Sequence, residues 1–225
     1  MNSATIQAAL RDIQDTEDPL EKALKLSGLV SALFRERDWE MVVVGGSAIE
    51  FYTEGQYMSG DIDMCAKSEV AAPPPSVRAE VMGLLGATGG PRSFKVGDQW
   101  VDLLGRVERM SQAQFRVLET PFGSVNLMPV EELLVDKVFS SICPQENEES
   151  RGCAEKLMAV CVSGAIAINW TEATRMAASK EYGIGSQFQQ FRSELEKRII
   201  PHERHKDQVD LERMDRDKGG PSLDI

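Results

Sequence analysis

Three aspartates and a glycine pair are the residues of this sequence best suited to chemistry. Asp61 and Asp63 stand two apart in Asp61–Ile62–Asp63–Met64–Cys65, whose alternation of polar and apolar residues reads as a half-buried strand. On a strand, residues at i and i+2 project from one face, so the two carboxylates lie side by side. Carboxylates so placed repel, and one takes up a proton unless a cation bridges them. Mg²⁺, with Mn²⁺ as its substitute, is the natural cation, because it takes hard oxygen ligands and shares its shell with substrate phosphates. A pair of solvated acids at a strand edge is the other reading of Asp-x-Asp alone. Asp102 is flanked by Val101, Leu103 and Leu104, where a carboxylate is costly unless it is paired or metal-bound. Alternation puts it on one face with Trp100 and Leu104, and a strand-end salt bridge is its ordinary alternative. Gly45–Gly46–Ser47 offers a sharp turn that a phosphate can approach without meeting a Cβ. A helix N-terminus behind it adds free N–H donors and the positive dipole end, and Ser47 adds a hydroxyl.

The elements that must position these groups can be read from periodicity. Residues 39–44 form an almost unbroken apolar run with three consecutive valines, expected as a strand buried on both faces. A helix over 47–53 follows the glycine pair, and the Asp-x-Asp strand covers 61–65. A proline-rich connection over 71–75 leads to a helix over 77–85, closed by Gly86. Strands over 93–96 and 99–104 flank a Gly97–Asp98 turn, and a second hairpin pairs 115–119 with 124–127. Ahead of all this come an amphipathic helix over 4–15 and a longer helix opened by Asp18–Pro19–Leu20–Glu21, an N-cap, a first-turn proline and an N3 glutamate. From Pro129 onward the character is helical, over 130–142, 149–162, 171–181 and 187–198. The expected organisation is an α/β core over 1–128, a helical C-terminal part over 129–200 and a charged, mobile tail or solvated helix over 201–225. The fold class is α/β, a short mixed sheet flanked by helices.

Composition narrows the partners. The chain has 225 residues and a formal net charge of −11, which argues against holding nucleic acid by bulk electrostatics, though a local basic groove can coexist with it. Its 42% hydrophobic and 27% charged residues are near the globular average, which argues against disorder throughout. No apolar run approaches the roughly 18 residues of a membrane span, and the first residues lack the basic start and apolar core of a secretory signal. Cys65, Cys143, Cys153 and Cys161 match no zinc or redox spacing. Free thiols, no membrane and a cytoplasmic location are the expectation.

The segment VVVGGSAIEFYTEGQYMSGDIDM resembles the core of the nucleotidyltransferase superfamily, the polymerase-β-like fold. Within it, GGSAIEFY with a small residue just before DID is similar to minimal bacterial and archaeal nucleotidyltransferases, including the toxin-like proteins of abortive-infection systems. The likeness covers residues 39–105 and continues more loosely through VNLMPVEELLVDKV, the strand-then-helix segment that carries a lysine, here Lys137. The resemblance implies that Gly45, Gly46 and Ser47, with Lys137, bind a nucleoside triphosphate, and that Asp61, Asp63 and Asp102 bind two Mg²⁺ and carry catalysis. It implies transfer of a nucleoside monophosphate to a hydroxyl of RNA, protein or a small molecule, in a toxin–antitoxin or phage-defence setting with a cognate antitoxin or partner protein. Two departures stand out. Relatives often carry an Arg or Lys shortly before Asp-x-Asp, where this chain has Gln56 to Gly60. Many also have an acidic pair after the lysine, where this chain has Arg151–Gly152–Cys153–Ala154–Glu155–Lys156. The competing class is a catalytically weak or inactive module of the same fold that regulates a partner.

Other residues read more plainly. His202 and His205 sit in the charged tail without a third ligand. Arg175, Lys180, Arg192, Lys197 and Arg198 alternate with Glu172, Glu181, Glu194 and Glu196, which reads as surface pairing.

Overall fold

The chain opens with two helices whose starts follow from their caps. The computed structural model describes residues 1–109 and 111–199, so the tail with His202 and His205 lies outside the described residues. In α1 (Ser3–Asp15) the Asn2 side chain accepts from the Thr5 amide. In α2 (Pro19–Arg35) Asp18 accepts from the Glu21 amide and the proline takes the first helical position, as the sequence dictates. Leu26, Leu29, Val30, Leu33 and Phe34 line the buried stripe of α2.

Seven strands make one mixed sheet: β1 (Met41–Val43), β2 (Asp61–Ala66), β3 (Thr88–Gly89), β4 (Ser93–Val96), β5 (Gln99–Arg106), β6 (Arg116–Thr120) and β7 (Gly123–Leu127), in the spatial order β3-β4-β5-β2-β1-β7-β6. β1 sits inside the sheet, antiparallel to β2 and parallel to β7, which explains its burial on both faces. β2 runs parallel to β5, and β4–β5 and β6–β7 are antiparallel hairpins. The two-residue β3 pairs with β4 and carries too few residues for a sequence signal.

The helices are α3 (Gly45–Tyr52), α4 (Pro75–Leu84), α5 (Val130–Ile142), α6 (Glu148–Val162), α7 (Trp170–Ala177) and α8, over residues 185–199. α2 packs against β1 and β7 on one sheet face, where Ile62, Met64, Val101 and Leu103 join the main core. On the opposite face Val42, Val44, Cys65 and Val107 form a second, smaller apolar cluster with Phe115 and Met128. α5 packs on α3, α6 and α7. The buried Glu132 accepts from the Ser111 amide, and the buried Glu131 accepts from the Asn169 amide, tying the surrounding loops to the first turn of α5.

Several helix ends depart from expectation: α4 and α8 each begin two residues early, at 75 and 185, and two further departures have a clear local cause. α3 begins at Gly45 rather than at residue 47, so the glycine pair is its first turn rather than a loop ahead of it. α7 ends at Ala177 rather than at 181, because the chain turns there and the Ile184 amide returns to the Ala177 carbonyl. All four cysteines are free. The pairing expected on the helical surface is present as Arg175–Glu172 and Arg192–Glu196. Among the described residues no helix is long and apolar enough to cross a membrane.

Candidate active site

The register between β2 and β5 brings the three aspartates together. Asp63 pairs across the ladder with Asp102, and Asp61 with Trp100. Since Ile62, Val101 and Leu103 point into the core, all three carboxylates emerge on the other face, and an oxygen from each lies within 4.8 Å of the others. None of the three makes an ion pair among the described residues, so the strand-end salt bridge considered for Asp102 does not form there. Burial, then the charges of Asp61 and Asp102, push the Asp63 carboxyl up to about 6, while Lys137 pulls the other way. Lys137 thus reaches the site electrostatically from α5, and it has no ion pair among the described residues.

The glycine turn is built against these acids. Gly45 has φ +59°, and a Cβ there would come within 2.7 Å of Asp63 Oδ2. A Cβ on Gly46 would meet Ser59 Oγ at 2.9 Å. Position 45 therefore favours glycine for conformation and space, while a side chain at position 46 would have to displace the Ser59 hydroxyl. The Ser47 hydroxyl turns inward: it donates to the Val44 carbonyl at 3.1 Å and accepts from the Asp63 amide at 3.1 Å. Ser47 is 1% exposed and pins the first turn of α3 to β2.

Three residues that the sequence did not single out complete the surroundings. Glu50, 3% exposed, accepts from the Ser59 amide at 2.8 Å. Ser59 Oγ in turn donates to Asp61 Oδ1 at 3.2 Å. Lys156 on α6 donates to the Gln56 carbonyl at 2.8 Å and lies 5.9 Å from the centre of the Tyr57 ring. A cation therefore stands at the segment that lacks a basic residue of its own. Beside Asp61 opens a pocket of about 300 Å³, lined among others by Glu50, Ser59, Gln99 and the 44%-exposed Trp100. The signal for Glu50 was available, a lone charge among Ile49, Phe51 and Tyr52 of a short apolar helix. Lys156 gave none, since its contact spans 100 residues.

The architecture is similar to the crystal structure of an antigenic nucleotidyltransferase-like protein from Paracoccidioides brasiliensis, at 14% identity over 77% of this chain and 94% of that one, with a TM-score of 0.51. The fold is that of the nucleotidyltransferases. The chain is also similar, at a TM-score of 0.40, to the solution structure of the antibiotic-resistance factor ANT(2'')-Ia, with 14% identity over 80% of this chain and 94% of that one. No family model matches the sequence, and neither does a curated protein. On this nucleotidyltransferase fold, the acid trio and the glycine turn lie on adjoining elements, joined by Ser47 and by the contact of Gly45 with Asp63.

Proposed function

We propose that the protein transfers a nucleoside monophosphate from a nucleoside triphosphate to a hydroxyl acceptor, on RNA, a protein or a small molecule, with release of pyrophosphate. The observation that carries this reading is the convergence of Asp61, Asp63 and Asp102 within 4.8 Å beside a turn whose first residue, Gly45, sits at φ +59° against Asp63. The donor set fits a divalent cation: three hard oxygen ligands lie on one open face, and the carboxyl of Asp63 is pushed up by its acidic neighbours. Asp61, Asp63 and Asp102 would hold Mg²⁺, or Mn²⁺ in its place. When bound, the metal supplies Lewis-acid stabilisation of the attacking and leaving oxygens.

The chain's own residues supply the rest. The turn at Gly45 and Gly46 would admit phosphate oxygens to the first amides of α3, and Lys137, whose charge is felt at Asp63, would add a positive charge for them. Ser47 keeps that turn in register with Asp63 through its hydroxyl. Asp102 stands on β5, one strand further from the glycine turn than Asp61 and Asp63, and in this reading it helps to activate the acceptor hydroxyl. The acceptor oxygen attacks the α-phosphorus, the bond to the oxygen bridging to the β-phosphate breaks, and the hydroxyl proton passes to a carboxylate of the trio. Pyrophosphate leaves toward Lys137. By resemblance, the setting is toxin–antitoxin or phage defence, with a partner protein that restrains the activity.

The test is incubation with each α-³²P-labelled triphosphate, Mg²⁺ or Mn²⁺, and a pool of cellular RNA and protein. An Asp61→Ala, Asp63→Ala variant runs alongside. Label transferred by the wild type and lost in the variant is the expected result, and the labelled band names the acceptor class. No transfer and no triphosphate binding by calorimetry, with a stoichiometric protein partner in a pull-down, would put the binding-module reading in its place.

A further inference from the structure

We propose that Glu50 is a positioning residue for Asp61, acting through Ser59, so that a buried carboxylate on α3 sets the direction in which the first acid of the trio presents its free oxygen to a cation. This rests on the metal-binding reading of the trio given above. Three observations carry it. Glu50 is 3% exposed in the middle of an apolar helix, and its Oε2 accepts from the Ser59 amide at 2.8 Å. Ser59 stands two residues before Asp61, and its hydroxyl donates to Asp61 Oδ1 at 3.2 Å. The same hydroxyl faces Gly46 so closely that a Cβ there would lie 2.9 Å from it.

The physical sense follows from what each bond leaves open. A carboxylate has two oxygens and turns about its Cβ–Cγ bond, so a hydrogen bond to one oxygen fixes where the other points. With Oδ1 held by Ser59, Oδ2 of Asp61 is the oxygen left free for a cation between Asp61, Asp63 and Asp102. Ser59 can hold that oxygen only while its own backbone is fixed. The segment between α3 and β2 contains Gly55 and Gly60 and has no ladder partner of its own; its first half is held by turn bonds and by Lys156, and the bond to Glu50 holds the backbone at Ser59. Burying an acid among Ile49, Phe51 and Tyr52 disfavours the charged form, and burial does raise the Glu50 carboxyl above its usual range. An apolar side chain of the same length would pack there without that cost. The retained acid is explained by the segment it anchors rather than by packing.

The experiment is Mn²⁺ titration of the full chain followed by electron paramagnetic resonance, with a thermal melt of each variant. Ser59→Ala and Glu50→Met are each expected to weaken Mn²⁺ about tenfold, as loss of outer hydrogen bonds to a ligand does. Glu50→Met should melt no lower than the wild type. Glu50→Gln, whose amide oxygen still accepts from the Ser59 amide, should stay within about threefold, and the Glu50→Met, Ser59→Ala double variant should lose no more than Ser59→Ala alone. Losses that multiply in the double variant, or folded single variants that bind Mn²⁺ like the wild type, would overturn the proposal and leave the metal site standing. If Glu50→Met does not fold, Ser59→Ala decides the matter by the same criterion. A wild type that takes up no Mn²⁺ would overturn the metal reading, and the role of Glu50 with it.

Discussion

Asp63→Asn is the substitution that reads the tension of the site most directly, because it removes one charge and little else. Burial and its two acidic neighbours raise the Asp63 carboxyl from an ordinary value of 3.8 to about 6. A group whose folded value is raised holds its proton more tightly in the folded state. Stability is therefore greatest below the unfolded value, falls as the pH rises between the two, and is flat above the folded one. A shift of about 2 units is worth about 3 kcal/mol at full weight. Asp63 is partly open to solvent, and screening cuts this to about 1–2 kcal/mol. Asparagine has the same shape and no charge, so the variant escapes that cost where wild-type Asp63 is ionised. For a chain of this size the gain corresponds to a rise in Tm of about 3–6 °C near pH 8. Near pH 4, where Asp63 carries its proton, the two proteins should melt within about 1 °C of each other. The assay is a pair of thermal melts at each pH in the presence of EDTA. A variant that melts lower than the wild type at pH 8, or higher by the same margin at both values, would refute the reasoning.

Other perturbations test the remaining parts. Gly45→Ala forces a side chain into φ +59° with its methyl 2.7 Å from Asp63 Oδ2, and should cost about 1–3 kcal/mol in urea unfolding. The same variant should lose triphosphate binding by calorimetry, since the methyl occupies the approach to the turn. Lys137→Gln removes the cation that pulls the Asp63 carboxyl down, so the affinity for a triphosphate with Mg²⁺ should fall about tenfold, equivalent to about 1.4 kcal/mol. An unchanged affinity would take Lys137 out of the site. Phe188 on α8 is 0% exposed, and Phe188→Ala should lower the unfolding free energy by about 3–5 kcal/mol. A loss below about 1 kcal/mol would mean that α8 contributes little to the core.

What could be read in advance was whatever depends on neighbours in sequence. The valines of β1, the alternation through Asp61 and Asp63, and the cap of α2 are local patterns, and each element stands where its pattern put it. α5 spans the expected residues, because its apolar positions repeat at helical spacing between Pro129 and Cys143. Side-chain partners across elements were not legible. The inward turn of the Ser47 hydroxyl depends on β2 passing close enough for the Asp63 amide to reach it. The role of Glu50, a lone charge in a short apolar helix, depends on the chain closing back so that the Ser59 amide reaches it. Lys156 could be set against Gln56 only by the packing of α6 beside that segment.

The location of the site follows from where the covering elements stop. Along β2 the side chains Asp61, Asp63 and Cys65 share one face, and burial deepens in that order toward Cys65. Cys65 belongs to the smaller apolar cluster with Val42, Val44 and Val107, against which Phe115 and Met128 pack. That cluster could not extend over Asp61 without burying a carboxylate that, among the described residues, is hydrogen-bonded by the Ser59 hydroxyl alone. Asp63 stands at the border, and so feels desolvation from one side and the charges of Asp61 and Asp102 from the other. A carboxyl held part-way between water and core gains more from a cation than a fully solvated one, because less water has to be displaced and more repulsion is relieved. The acids Asp61 and Asp63 thus lie where burial along β2 gives way to exposure, and the parallel pairing of β2 with β5 sets Asp102 beside Asp63.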